Sequence, residues 1–148
     1  MINTLNESSL HRSLKSLYAL EKGCMTEVNI DGKIYDVVDA HGNITEIQTR
    51  NLSSLLVKTL GAIKSGHSVK IVYPVVRIKY VAVYDEKGVL LSKRKSPVRA
   101  SIYSIFRELT GLYPVLLKKR FSLDVLEIAM SEIRTQSETP VQSPNGRR

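Results

Sequence analysis

Apolar residues recur three and four apart in "SSLHRSLKSLYAL", at Leu10, Leu14, Leu17 and Leu20, which is the spacing of an amphipathic helix. Asn3, Thr4 or Asn6 is placed to cap its start. One step back along the same stripe lies Glu7, because positions 7, 10, 14, 17 and 21 share a face. An acid there either points toward the core side or sits in the first turn, where the helix dipole favours negative charge. The period then shortens to two in "CMTEVNIDGKIYDVVDAHGNITEIQTRN". Val28 and Ile30 precede a turn at "DGK", and strands are predicted over 34–39 and 43–49 around "AHG".

Helical spacing returns over 50–64 with Leu52, Leu55, Leu56, Leu60 and Ile63, opened by Asn51 or Ser53. "SVKIVYPVV" reads as a strand, and "IKYVAVYDEKGVLLSKR" as a hairpin turning at "DEKG". A short helix is expected over 101–110, then a strand in "FSLDVLEIAM". From 135 onward "TQSETPVQSPNGRR" has almost nothing to bury, so 135–148 is expected to be a disordered tail after a single domain of 1–134. The order predicts an α/β fold, a mixed β-sheet flanked by helices, with the 50–64 helix as the crossover to a parallel neighbour.

At 148 residues and 43% hydrophobic content the chain suits one compact domain with a real core. No run approaches the roughly 18 apolar residues of a membrane span, and the first residues lack a signal peptide's apolar centre, so no membrane partner and a cytoplasmic location are expected. A single cysteine, Cys24, excludes an internal disulfide and offers no zinc-ligand spacing. The net charge of +8 is concentrated in the middle: 67–120 holds twelve Lys and Arg against three acids, whereas 1–66 holds seven of each. A field of that sign attracts polyanions, most simply nucleic acid.

The acids of the meander change the picture most. Asp36 lies on the first strand of the 34–49 hairpin, and Glu46 and Gln48 on the second. A two-residue turn at His41 and Gly42 would send the two acids to opposite faces. A three-residue loop of Ala40, His41 and a left-handed Gly42 instead sets Asp39 against Asn43, and so Asp36 against Glu46. Two carboxylates about 5 Å apart at Cβ repel unless a cation or proton intervenes. Hard oxygen ligands in that arrangement suit Mg²⁺ or Mn²⁺, and an exposed acidic strand face paired with Lys is the plainer reading.

With Glu7 in "NESSLHRSLK", Asp36 in "IYDVVD" and Glu46 with Gln48 in "TEIQTRN", followed by the "LSSLLVKTLGAIK" helix and the "HSVKIVYPV" strand, residues 5–76 resemble the PD-(D/E)XK nuclease superfamily. The resemblance implies a restriction-endonuclease-like αβββαβ core. It implies a metal held by Asp36, Glu46 and the Ile47 carbonyl, with Glu7 reaching it directly or through water, and hydrolysis of a phosphodiester. The family's usual lysine is Gln48 here, which brings no positive charge; Lys15, two helical turns after Glu7, is a substitute. His11, Arg50, Lys93, Arg94, Lys95 and Arg99 are candidates for contact with nucleic acid, mainly through phosphates. The expected partner is DNA ahead of RNA, with a homodimer as the form that would cut two strands. Gln48 also keeps open a catalytically inactive module that binds nucleic acid or a protein.

Overall fold

A computed structural model describes residues 9–97 and 100–136. Glu7, Arg99, the helix caps Asn3, Thr4 and Asn6, and the tail beyond residue 136 lie outside the described residues. The chain divides into two compact units, Met1–Pro74 with Ile102–Leu126, and Val75–Ser101 with Glu127–Arg148. The mixed sheet predicted from the alternation is present, with helices packed on it.

In the first unit, α1 (Ser9–Tyr18) leads into β1 (Met25–Ile30), β2 (Lys33–Val38) and β3 (Ile44–Ile47). A 3₁₀ turn (Leu52–Leu55) and α2 (Leu56–Lys64) then cross over to β4 (Val69–Tyr84). β1, β2 and β3 form an antiparallel meander, and β3 pairs with β4 in parallel, Ile44 beside Val69 and Ile47 beside Val72. That change of direction is what a helical crossover permits. The short helix expected over 101–110 is a 3₁₀ turn (Ile102–Ser104) running into α3 (Ile105–Leu109), and a further 3₁₀ turn (Thr110–Leu112) leads to α4 (Tyr113–Leu116). β6 (Phe121–Thr135) pairs with β4 and runs past the predicted strand, ending where the tail was expected to begin.

Neighbouring residues of β4 sort the core into two faces. Val72 packs with Leu14 of α1, Val37 and Ile47. Ile71, one step away, packs with Leu52, Leu55, Ile105, Leu112 and Val115 from the segments around α2, α3 and α4. Alternation along the strand thus places α1 on one side and the other helices on the opposite side. α1 departs from its predicted stripe: Leu14 and Lys15 are buried, while Leu17 and Leu20 are exposed.

The expected strand over 68–76 and the hairpin arm after it are one strand, β4, and in the second unit its later part pairs antiparallel with β5 (Leu90–Lys95). The Asp85–Gly88 turn is closed by the Asp85 carboxylate, which accepts from the amides of Lys87 and Val89 at 2.9 and 2.7 Å. The Gln136 amide donates to the Tyr84 carbonyl at 2.8 Å.

Gly111, between α3 and α4, lies against Ser53 so closely that a Cβ would fall 2.5 Å from the Ser53 Cβ and 3.2 Å from its Cα. Gly111→Ala is therefore expected to lower stability by about 1–3 kcal/mol in urea unfolding. An unchanged midpoint would show that these two segments do not pack this tightly.

Candidate functional site

The loop between β2 and β3 takes the three-residue form. The Gly42 amide donates to the Asp39 carbonyl at 3.0 Å, and Gly42 has φ +80°, open to glycine because it has no Cβ. The Asp39 amide donates to Asn43 at 3.0 Å, and the register continues through Val38 opposite Ile44 and Val37 opposite Thr45. The paired register ends there, and the expected face-to-face pairing of Asp36 with Glu46 is not formed: Asp36 turns to His11 of α1 and Glu46 to Lys58 of α2.

Beyond Val37 and Thr45 the two strands exchange side chain-to-backbone bonds. The Asp36 amide donates to Glu46 Oε1 at 3.0 Å, and the Ile47 amide donates to Asp36 Oδ2 at 2.8 Å. Each acid thereby grips the other's strand. The remaining Glu46 oxygen, Oε2, takes the Lys58 ammonium of α2 at 2.7 Å, and that ammonium also sits 4.5 Å from the centre of the Tyr35 ring. Asp36 Oδ2 meets His11 Nε2 of α1 at 3.3 Å. The two acids draw their partners from helices on opposite faces of the sheet.

These partners act differently on the two carboxyls. Burial raises the Glu46 pKa, the charge of Asp36 adds to that, and Lys58 offsets only part, so Glu46 lies above its usual range. Burial also pushes Asp36 upward, but the His11 contact, the Ile47 amide and the Lys58 charge outweigh it, and Asp36 lies below its usual range. Adjacent acids with divergent affinities for the proton mark a site where one charge is held firmly and the other conditionally.

The predicted residues separate into two groups. Asp36, Glu46, Ile47 and His11 come together. Gln48 turns aside: its amide nitrogen donates to the carbonyls of Arg50 and Asn51 at 2.7 and 3.2 Å and contacts Ser54 Oγ at 3.0 Å, bracing the left-handed Asn51 (φ 55°) that starts the 3₁₀ turn. Lys15, expected to substitute for the missing lysine, is buried and paired with Glu27. Arg50 is exposed on the loop after β3. Lys93, Arg94 and Lys95 belong to the second unit, exposed on β5, with Lys93 5.8 Å from the centre of the Tyr80 ring.

Two residues were missed from the sequence. Lys58 follows Glu46 by three helical turns' worth of chain and only meets it once α2 crosses over the sheet. Glu27 lies at β1's place opposite Asp36, with left-handed φ 57°, unusual for a residue with a side chain. Its signal, an acid in the middle of an otherwise regular strand, was present but not read.

The pair offers hard oxygen donors of the kind Mg²⁺ and Mn²⁺ take, so the donor chemistry fits such an ion. Among the described residues no group of three or more His, Cys, Asp or Glu side chains converges to hold one. An ion would be held by Asp36, Glu46 and backbone oxygen, and would take over from Lys58 at Glu46.

Fold and site together define an α/β protein in which two acids cross-link β2 and β3 and take partners from two helices. The chain belongs to the family described as "Domain of unknown function (DUF8091)", whose model matches residues 8–147. It is 38% identical over 133 residues to an uncharacterised protein of Treponema pallidum (strain Nichols), a match covering 90% of this chain and 52% of that protein. The chain thus spans about half the length of that relative. No solved structure matches. No helix of the described residues is long and apolar enough to cross a membrane.

The pKa of Asp36 yields a test. A carboxyl whose folded pKa is depressed stabilises the fold above its unfolded value, and loses that contribution as pH falls through the folded one. Wild type should therefore exceed Asp36→Asn in unfolding free energy most at neutral pH, with the gap closing as pH drops below the ordinary value of 3.8. A gap that is constant across pH would mean the Asp36 charge contributes nothing to folding.

Proposed function

We propose that this protein is a metal-dependent nuclease of the PD-(D/E)XK type, hydrolysing phosphodiester bonds in DNA. The observation that carries the reading is the Asp36–Glu46 pair, each acid bonded to a backbone amide of the other's strand and Glu46 in contact with Lys58. The order α1, β1, β2, β3, α2, β4 supports it, being the helix, meander, helix and strand of that superfamily's core.

Asp36 and Glu46 would hold a divalent ion, with Ile47 contributing its carbonyl. A divalent ion there lowers the pKa of a bound water and offsets charge on the phosphate. His11 and the Ile47 amide keep the Asp36 carboxylate charged and in place. Lys58, the cation beside Glu46, would supply the positive charge that Gln48 lacks and could donate to a phosphate oxygen. Arg50, on the loop that follows β3, contacts the nucleic-acid backbone, and Lys93, Arg94 and Lys95 provide further phosphate contacts. The free Cys24 suits the reducing cytoplasm, where we place the protein.

Asp36→Ala and Glu46→Ala are expected to abolish Mg²⁺- or Mn²⁺-dependent cleavage of plasmid DNA. Lys58→Met should slow it about 10²–10³-fold, while Gln48→Ala lowers stability and leaves the rate nearly unchanged. Cleavage undiminished by either acid substitution would rule out the site. Saturation of Glu46 by Lys58 without any ion favours a second reading, an inactive module that binds nucleic acid; binding without cleavage under every divalent ion would select it.

A further inference from the structure

The segment around α3 and α4 shows aromatic rings to solvent. Tyr103 and Phe106 are 73% and 64% exposed, and their rings lie 6.4 Å apart, only 13° from parallel. Tyr113 and Leu117 continue the apolar exposure at 75% and 97%. The fold does not need these side chains, because the inward positions of the same segment are filled by Ile105, Leu112 and Val115. Single exposed hydrophobes are ordinary; a parallel ring pair within an apolar stretch calls for an occupant.

Charge indicates which occupant. Residues 101–120 contain Arg107, Lys118, Lys119 and Arg120 against one acid, Glu108. The Glu108 carboxylate is engaged inward, accepting the Leu52 amide at 2.8 Å, and Arg120 is engaged with the Gly66 carbonyl. Arg107, Lys118 and Lys119 remain exposed in the same segment, whose one acid, Glu108, is turned inward. A second copy of this chain would bring like charges together at the patch, whereas a polyanion with flat apolar groups satisfies both features.

We infer that this surface binds unpaired nucleotides, with bases stacked on Tyr103 and Phe106 and phosphates met by Arg107, Lys118 and Lys119. Only a base outside a duplex presents its face to such rings, and stacking tolerates any sequence. The inference rests on the nucleic-acid reading above and deepens it: the substrate carries a single-stranded stretch, such as an overhang or flap. The Glu108–Leu52 bond ties α3 to the turn that follows β3, so the ring pair belongs to the same unit as Asp36 and Glu46.

The test is fluorescence anisotropy of the full chain in EDTA, with a labelled oligothymidine and a labelled blunt-ended duplex. The double variant Tyr103→Ala/Phe106→Ala should weaken single-strand binding about tenfold or more, and duplex binding should stay at the wild-type level. Phe106→Leu, which keeps the apolar bulk without the ring, should show part of the same loss and guards against misfolding of the double variant. Equal losses on both probes, or single-strand binding unaffected by both variants, would overturn the inference. So would loss of a wild-type dimer in sedimentation with DNA binding intact, which would assign the patch to self-association. Because EDTA removes catalysis, ring-dependent single-strand binding by a protein that never cuts DNA would defeat the nuclease reading alone. Cutting that ignores both ring variants, with binding equally unaffected, would defeat only the platform.

Discussion

A buried carboxylate must find donors or give up its charge, and Glu46, only 3% exposed, is the point at which this requirement organises the first unit. Its two donors come from different places, the Asp36 amide on the adjacent strand and the Lys58 ammonium on the crossover helix. The first pins the β2–β3 register, and the second fixes α2 over Tyr35. Removing either leaves a buried charge short of a partner, which is far more costly than losing an exposed ion pair. The same contacts that make the fold specific therefore hold the acids and a lysine together, and the nuclease reading adds only that a metal ion can take the lysine's place.

Asp36 plays the complementary part. It receives the Ile47 amide and His11, so its charge is supported from β3 and α1, while Glu46 is supported from β2 and α2. The left-handed Glu27 at the neighbouring position of β1, paired with Lys15, continues the row of acids onto a third strand. Backbone held in a sparsely populated conformation persists where its surroundings over-determine it. Here those surroundings are alternating acids and cations, an arrangement that neutralises the row in the absence of any ion.

Much of this was legible in the chain. Gly42 as the third loop residue fixed the pairing of Asp39 with Asn43, but not where the acids beyond it point: the bonds each carboxylate makes to the other strand's amide end the ladder and let Asp36 turn to α1 and Glu46 to α2. The periodicity of 52–63 located the crossover, and with it the parallel pairing of β3 and β4. Lys58 was not legible: on a helix it reads as an ordinary solvated residue, and only the tertiary crossing brings it to Glu46. Gln48 misled because position along a strand gives a face and says nothing of a competing bond, and its amide is engaged by the loop it follows. Leu17 and Leu20 continued the periodicity of α1 beyond the surface available to cover them. β4 is a single strand, Val69–Tyr84, where the pattern suggested separate strands.

Whether Asp36 and Glu46 jointly hold a cation other than Lys58 is decided most directly by a crystal soaked in Mn²⁺ and measured at the manganese edge. The account predicts one anomalous peak within coordinating distance of both carboxylates, with the Lys58 ammonium displaced from Glu46. Crystals that show no peak there, with Lys58 still bound to Glu46 after soaking, would contradict it.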